Sequence, residues 1–149
     1  MKISHEFLKM GYGNVACNLK KNIKSHMNWY EKLPNDCPPQ DAFEPEGKEL
    51  FRLCQSNPAD TSDFYSQQNE NPDRTFAGIS VCVLRAVSLW DDRHKCSKQR
   101  KYPTQRNKVL GRIQLNKDDG RIKNTFKPNH YSWWRSVTFD PSLAIIIDR

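Results

Sequence analysis

Apolar residues recur along this chain at two different periods, helical first and extended later. Between residues 14 and 33, Val15, Leu19, Ile23, Met27 and Tyr30 follow one another at steps of three or four, the spacing of a single helical stripe. Asn14 suits the N-cap, and Pro34 stops the helix after Leu33. Lys20, Lys21 and Lys24 fall largely off the stripe, making the helix basic and amphipathic. Its stripe is short and weakly apolar, so packing on its own domain is expected rather than a membrane surface. Pro34, Pro38, Pro39 and Pro45 then alternate with Asp36, Asp41, Glu44 and Glu46, which predicts an extended acidic linker over 34–48.

Beyond the linker the period falls to two. Glu49–Cys54 sets Leu50, Arg52 and Cys54 on one face of a strand and Phe51 and Leu53 on the other. Residues 56–74 are turn-rich, with Asp60 or Ser62 placed to start a short helical turn. The most apolar run, within 75–89, predicts a buried strand at Ile79–Leu84 that continues as helix or strand to Trp90. Lys108–Asn116 alternates again, and Asp119-Gly120 reads as a hairpin turn into Arg121–Phe126. Residues 130–135 are read as extended, and Ser142–Asp148 is a final strand. One helix followed by several strands predicts an α+β domain: an N-terminal helical segment (1–33), the linker (34–48), and a mostly antiparallel core (49–149).

Composition narrows the picture. A chain of 149 residues suits one domain. Leu, Ile, Val and Phe number only 31, near the boundary with disorder, but 16 aromatics can each bury a large area. No apolar run is long enough to span a membrane. Glu6 and Lys9 interrupt the region where a secretory signal is apolar. The five cysteines, Cys17, Cys37, Cys54, Cys82 and Cys96, are odd in number, widely spaced and without a CxxC pair. They read as free thiols of a cytoplasmic protein, Cys82 above all, and they offer no zinc site.

Charge is unevenly spread. Residues 1–84 hold 9 Lys/Arg against 11 Asp/Glu, while residues 85–149 hold 15 against 6. The acidic middle and the basic second half either neutralise each other or leave the basic part for an anionic partner.

Three places could carry chemistry. The stretch 91–108 gathers Arg93, Lys95, Lys98, Arg100, Lys101, Arg106 and Lys108 around Tyr102, a surface that could track phosphates while Tyr102 stacks on a base. In HYSWWR, an extended backbone puts His130, Ser132 and Trp134 on one face and leaves Trp133 on the other. His130 is the best single candidate for ligand contact or proton transfer, and Trp134 and Arg135 join the predicted nucleic-acid surface. Arg52, a permanent charge on a core strand, must pair with the acidic segment or reach a ligand. P-loop, GxGxxG, GxSxG and HExxH motifs are all absent, and Glu70 is the last glutamate.

The order FRL (Phe51–Leu53), GISV (Gly78–Val81), GRIQL (Gly111–Leu115) and HYSWW (His130–Trp134) resembles a loose group of small bacterial proteins. Their layout is distantly similar to the ADP-ribosyltransferase superfold. That resemblance implies Arg52 on the phosphates of NAD and Ser80 on the second motif strand. The late catalytic glutamate of the transferases has no counterpart here. The related RNA 2′-phosphotransferases work with Arg and His, roles that Arg52 and His130 could fill. Three functions stay open: binding of an anionic partner, foremost RNA or DNA, through 85–135 without a cofactor; a small phosphate- or nucleotide-handling enzyme using Arg52, Ser80 and His130; and a protein-binding inhibitor or regulator with the acidic linker as its contact, an acidic protein being a further possible partner of the basic part.

Overall fold

Alternation along the second half of the chain builds one sheet. A computed structural model describes residues 27–148. Its strands are β1 (Lys48–Cys54), β2 (Val87–Trp90), β3 (Val109–Leu115), β4 (Gly120–Asn124), β5 (His130–Arg135) and β6 (Ile145–Asp148). All pair antiparallel in the order β4-β5-β2-β1-β3-β6, a six-stranded sheet that makes the described chain one α+β domain. Three short helices decorate it: α1 (Gln67–Glu70), α2 (Val81–Leu84) and α3 (Arg93–Lys98). Among the described residues no helix is long and apolar enough to cross a membrane.

β1 and β3 pair along their whole length, from Lys48↔Leu115 to Cys54↔Val109. The alternation in β1 sorts its side chains as the pattern requires. Leu50 and Cys54 enter a core with Val87, Leu89, Ile113, Ile122 and Trp133. Phe51 and Leu53 turn the other way, onto Leu110 and Cys96 of α3. Phe139 closes the first core edge-on against Trp133 at 4.7 Å and Phe64 at 5.0 Å. Each such aromatic pair is worth about 0.5–1.5 kcal/mol beyond its buried area.

β3 and β4 follow each other in sequence but lie four positions apart in the sheet. Flat, that separation is about 19 Å at about 4.8 Å per strand, whereas a four-residue 3-10 link rises only about 2 Å per residue. The sheet therefore curls. Residues 43–47 touch both strands at once, Phe43 bridging Ile122 while the Gly47 amide donates to the Leu115 carbonyl at 2.6 Å.

Several expectations are corrected. The link at 116–119 is not a hairpin turn. Gly120 has φ +138, and a Cβ there would sit 2.0 Å from the Trp134 carbonyl, so the glycine serves close approach of β4 to β5. Val81–Leu84 is helix rather than strand, capped by the Ser80 hydroxyl accepting from the Val83 amide, and the strand begins only at Val87. Residues 27–33 are not helical. Trp29 bridges Ser136, and the Tyr30 amide donates to the Arg135 carbonyl at 2.9 Å, so this backbone finds its partners across the sheet. The rest of the expected helix, 14–26, lies outside the described residues.

The cysteine reading changes most. Cys37 and Cys82 form a disulfide across 45 residues, so Cys82 is not a free thiol. Cys54 and Cys96 are free and buried, and burial pushes their thiols up to about 11 and about 12. Pro-rich 34–47 is irregular, as its composition requires, but it is strapped down by the disulfide and the Phe43 bridge. Acids of this segment, and Glu31 just before it, meet bases of the second half: Glu31 with Arg85 at 3.6 Å, Asp41 with Lys123 at 2.9 Å, and Glu44 with Arg121 at 3.6 Å.

Candidate functional site

β1 and β2 are registered at Phe51↔Trp90, and beyond that pair a side chain takes over from the ladder. Arg52 Nη1 donates to the Ser88 carbonyl at 2.8 Å. Its Nε donates to the Asp63 carbonyl at 2.5 Å, and Nη2 reaches the Tyr65 carbonyl and Glu70 Oε1, each at 3.3 Å. The charge that cannot be shed is thus met by Glu70, by the Asp63 and Tyr65 carbonyls in the approach to α1, and by the Ser88 carbonyl of β2.

Around this junction lies an open cleft of about 660 Å³. Its floor is Arg52 and Leu53 of β1, Ser88 and Trp90 of β2, and His130 of β5. One wall comes from residues 62–74 and the other from residues 96–108. The first wall exists because Asp60 caps the turn Thr61–Phe64, which buries Phe64 in the core and leaves Tyr65 facing the cleft. Asp63 is held within that turn, accepting from the Gln55 amide at 2.7 Å and the Asp60 amide at 2.9 Å.

His130 is buried at the cleft floor, with Trp90 edge-on at 5.0 Å and Phe126 at 5.6 Å. Phe126 sits at φ 63, a left-handed conformation uncommon for a bulky residue, which holds an exposed ring beside the imidazole. His130 Nδ1 lies 3.1 Å from the Thr125 carbonyl. A carbonyl only accepts, so this contact needs the proton on Nδ1 and leaves Nε2 as the ring's acceptor. Burial lowers the imidazole pKa, and the charges of Lys127 and Arg52 act in the same direction against the Thr125 contact.

The structure therefore gathers Arg52 and His130 at one cleft and leaves Ser80 out of it. Ser80 is exposed and spends its hydroxyl on the α2 cap. Of the pair that the transferase resemblance assigns to NAD, one residue is elsewhere and the other has its donors committed to protein acceptors. The two do not fit that group together.

The basic stretch splits likewise. Arg93, Lys95, Lys98, Lys101, Tyr102 and Arg106 are exposed along α3 and the turns after it. Tyr102 and the half-buried Lys108 line the cleft wall. Among the described residues no carboxylate lies within salt-bridge distance of these lysines and arginines, apart from Asp148, which pairs with Arg100. Arg100 also donates to the Lys108 carbonyl at 3.1 Å and so fastens this wall to β6.

Trp134 and Arg135 are corrected as surface residues. Trp134 is fully buried under α2, its indole donating to the Cys82 carbonyl at 2.9 Å. Arg135 is buried with Tyr30 stacked 3.9 Å from its guanidinium, and it donates to Thr61 Oγ1 at 2.8 Å. Both tryptophans of the pair are core, one on each face of β5.

Sequence reasoning missed Trp90, Ser88 and the amides of Gln55, Gln67, Asn71, Gln99 and Gln105 as cleft residues. Four of these amides sit in turns, where no periodicity marks them. A search of family models, of curated proteins and of solved structures finds no match to the chain.

Proposed function

We propose that this protein binds single-stranded nucleic acid along the 93–108 wall of the cleft. One observation carries the reading: among the described residues the exposed cations Arg93, Lys95, Lys98, Lys101 and Arg106 meet no carboxylate and stand beside exposed Tyr102, while acids neutralise Arg85, Arg121 and Lys123 elsewhere. Backbone phosphates release counterions when such cations replace them, and a rim aromatic stacks on unpaired bases. Single strands are favoured over duplex because only they present free base faces.

The test is fluorescence anisotropy of labelled single-stranded RNA, single-stranded DNA and duplex against rising salt. Four or five engaged cations give a log–log slope of about −3 to −3.5 on single strands. Changing Lys98, Lys101 and Arg106 together to Gln flattens that slope by about 2. No binding to any strand at low salt removes the proposal.

The Cys37–Cys82 bond removes the free-thiol ground for a cytoplasmic protein and leaves only the charges at Glu6 and Lys9; a chain that keeps this disulfide matures where oxidation is supported. A catalytic reading is favoured by one observation, the shared cleft position of Arg52 and His130. In that reading His130 Nε2 exchanges a proton with a bound phosphoryl or ribose group, and the Arg52 charge supports the anion without leaving its protein acceptors.

A further inference from the structure

We infer that the cleft accepts one nucleoside monophosphate unit, base inward towards Trp90 and His130 and phosphate outward at Lys108 and Arg74. The inference rests on the nucleic-acid reading above for its anionic ligand, and goes beyond it in giving the cleft interior a separate task from the cationic wall.

Size is the first argument. A cleft of about 660 Å³ lies inside the range that holds small ligands, and is too confined for a duplex. The second is the state of its polar groups. Among the described residues, the side-chain amides of Gln55, Gln67 and Gln105 make no protein hydrogen bond, although all three line the cleft. An amide offers donors and an acceptor together, the pattern that a nucleobase edge returns. Gln67 stands on one wall and Gln105 on the other, so an inserted planar group meets them from both sides.

The third argument is charge. The two cleft carboxylates are spent: Asp63 on backbone amides, Glu70 on Arg52. Among the described residues, Lys108 and Arg74 are the cleft cations not held by a carboxylate, and a phosphate would follow there from a base bound inside. Trp90 adds a partly exposed indole to the floor, and base–aromatic stacking tolerates any base because every base has a π-face. The same chemistry could reach the cleft as a free mononucleotide or as one residue of a strand.

The experiment is NMR titration of ¹⁵N-labelled protein with 5′-AMP, 5′-UMP, their nucleosides, inorganic phosphate, a neutral disaccharide and a short single strand. The side-chain amide signals of Gln55, Gln67 and Gln105 are assigned from single Gln→Ala variants. Mononucleotides are expected to shift these signals at lower concentration than nucleosides or phosphate do. Gln67→Ala with Gln105→Ala is expected to weaken mononucleotide binding about tenfold while leaving the salt slope of strand binding unchanged. Gln67 opens a four-residue helix on the surface and neither side chain holds the fold, so an unchanged melting temperature marks the loss as local. Strand binding that is insensitive to the double variant, with unmoved amides under mononucleotides, overturns the cleft inference and leaves the nucleic-acid reading standing. Mononucleotide binding without strand binding keeps the cleft site, identifies a free nucleotide as its ligand and overturns the reading of the wall. Amide shifts produced only by the disaccharide overturn the inference in favour of a sugar site.

Discussion

Arg52 donates through Nη1 to the Ser88 carbonyl at 2.8 Å, so a side chain of β1 supplies the bond to β2 next to their shared Phe51↔Trp90 register. The same guanidinium reaches into the turn before α1, which makes it the rivet between sheet and cleft wall.

Arg52→Lys keeps the charge but loses the planar fork, leaving at least two carbonyls without their donor. Urea denaturation is expected to show a loss of about 1–3 kcal/mol. Loss of strand binding at unchanged stability would instead assign Arg52 to the ligand.

The disulfide closes a long loop between the strap at 34–47 and α2, across 45 residues. Replacing Cys37 and Cys82 by Ser is expected to cost about 2–4 kcal/mol, read from thermal unfolding with and without reductant. Cys54 and Cys96, with thiols raised to about 11 and about 12 by burial, should resist a thiol reagent at neutral pH until the protein unfolds.

His130 gives a pH signature. Burial lowers its folded pKa below the unfolded value of about 6.5, so on acidification the unfolded chain takes up this proton first. Its share of stability is complete above about 6.5, falls as pH drops from there to the folded pKa, and is constant below it. His130→Gln should flatten that portion of a stability–pH curve. An unchanged curve would mean the imidazole is not desolvated in solution.

Arg100 and Lys98 should separate structure from ligand contact. Arg100 is engaged by Asp148 and the Lys108 carbonyl, so Arg100→Gln lowers stability and barely moves the salt slope of strand binding. Lys98→Gln, on an exposed residue, should flatten the slope by about 0.7 and leave stability within about 0.5 kcal/mol. A slope for Lys98→Gln as steep as that of the unaltered protein would detach Lys98 from nucleic acid, and the same result across the exposed cations would detach the 93–108 wall.

Much of the sheet is legible in the alternation. Glu49–Cys54 covers all of β1 but its first residue, Lys48, while Lys108–Asn116 and Ser142–Asp148 contain β3 and β6, and the opposite-facing Trp133 and Trp134 follow from a period of two. The run at 79–84 misleads because a short apolar stretch suits a buried strand and a buried helical turn equally, and Ser80 decides it by capping. Asp119-Gly120 misleads because the glycine answers to Trp134 on the neighbouring strand β5, not to its own turn. Cys37 and Cys82 meet only through the curl of the sheet and the path of the strap, which spacing does not encode. Arg52 and His130 are visible as chemistry that needs a partner; Gln67 and Gln105 are not, since an amide at the start of a one-turn helix or in a 3-10 turn looks like any solvated one.

The strap also decides how this sheet meets other chains. Phe43 exchanges both backbone hydrogen bonds with Ile122, at 2.9 Å each, and so occupies part of the outer edge of β4. An unpaired strand edge is a template for intermolecular β-pairing. Reduction of Cys37–Cys82 loosens the cover from that edge, so reduced protein should clump faster than an oxidised variant of matched thermal stability, and Asn124→Pro, at a position whose amide faces the same edge as that of Ile122, should slow the clumping.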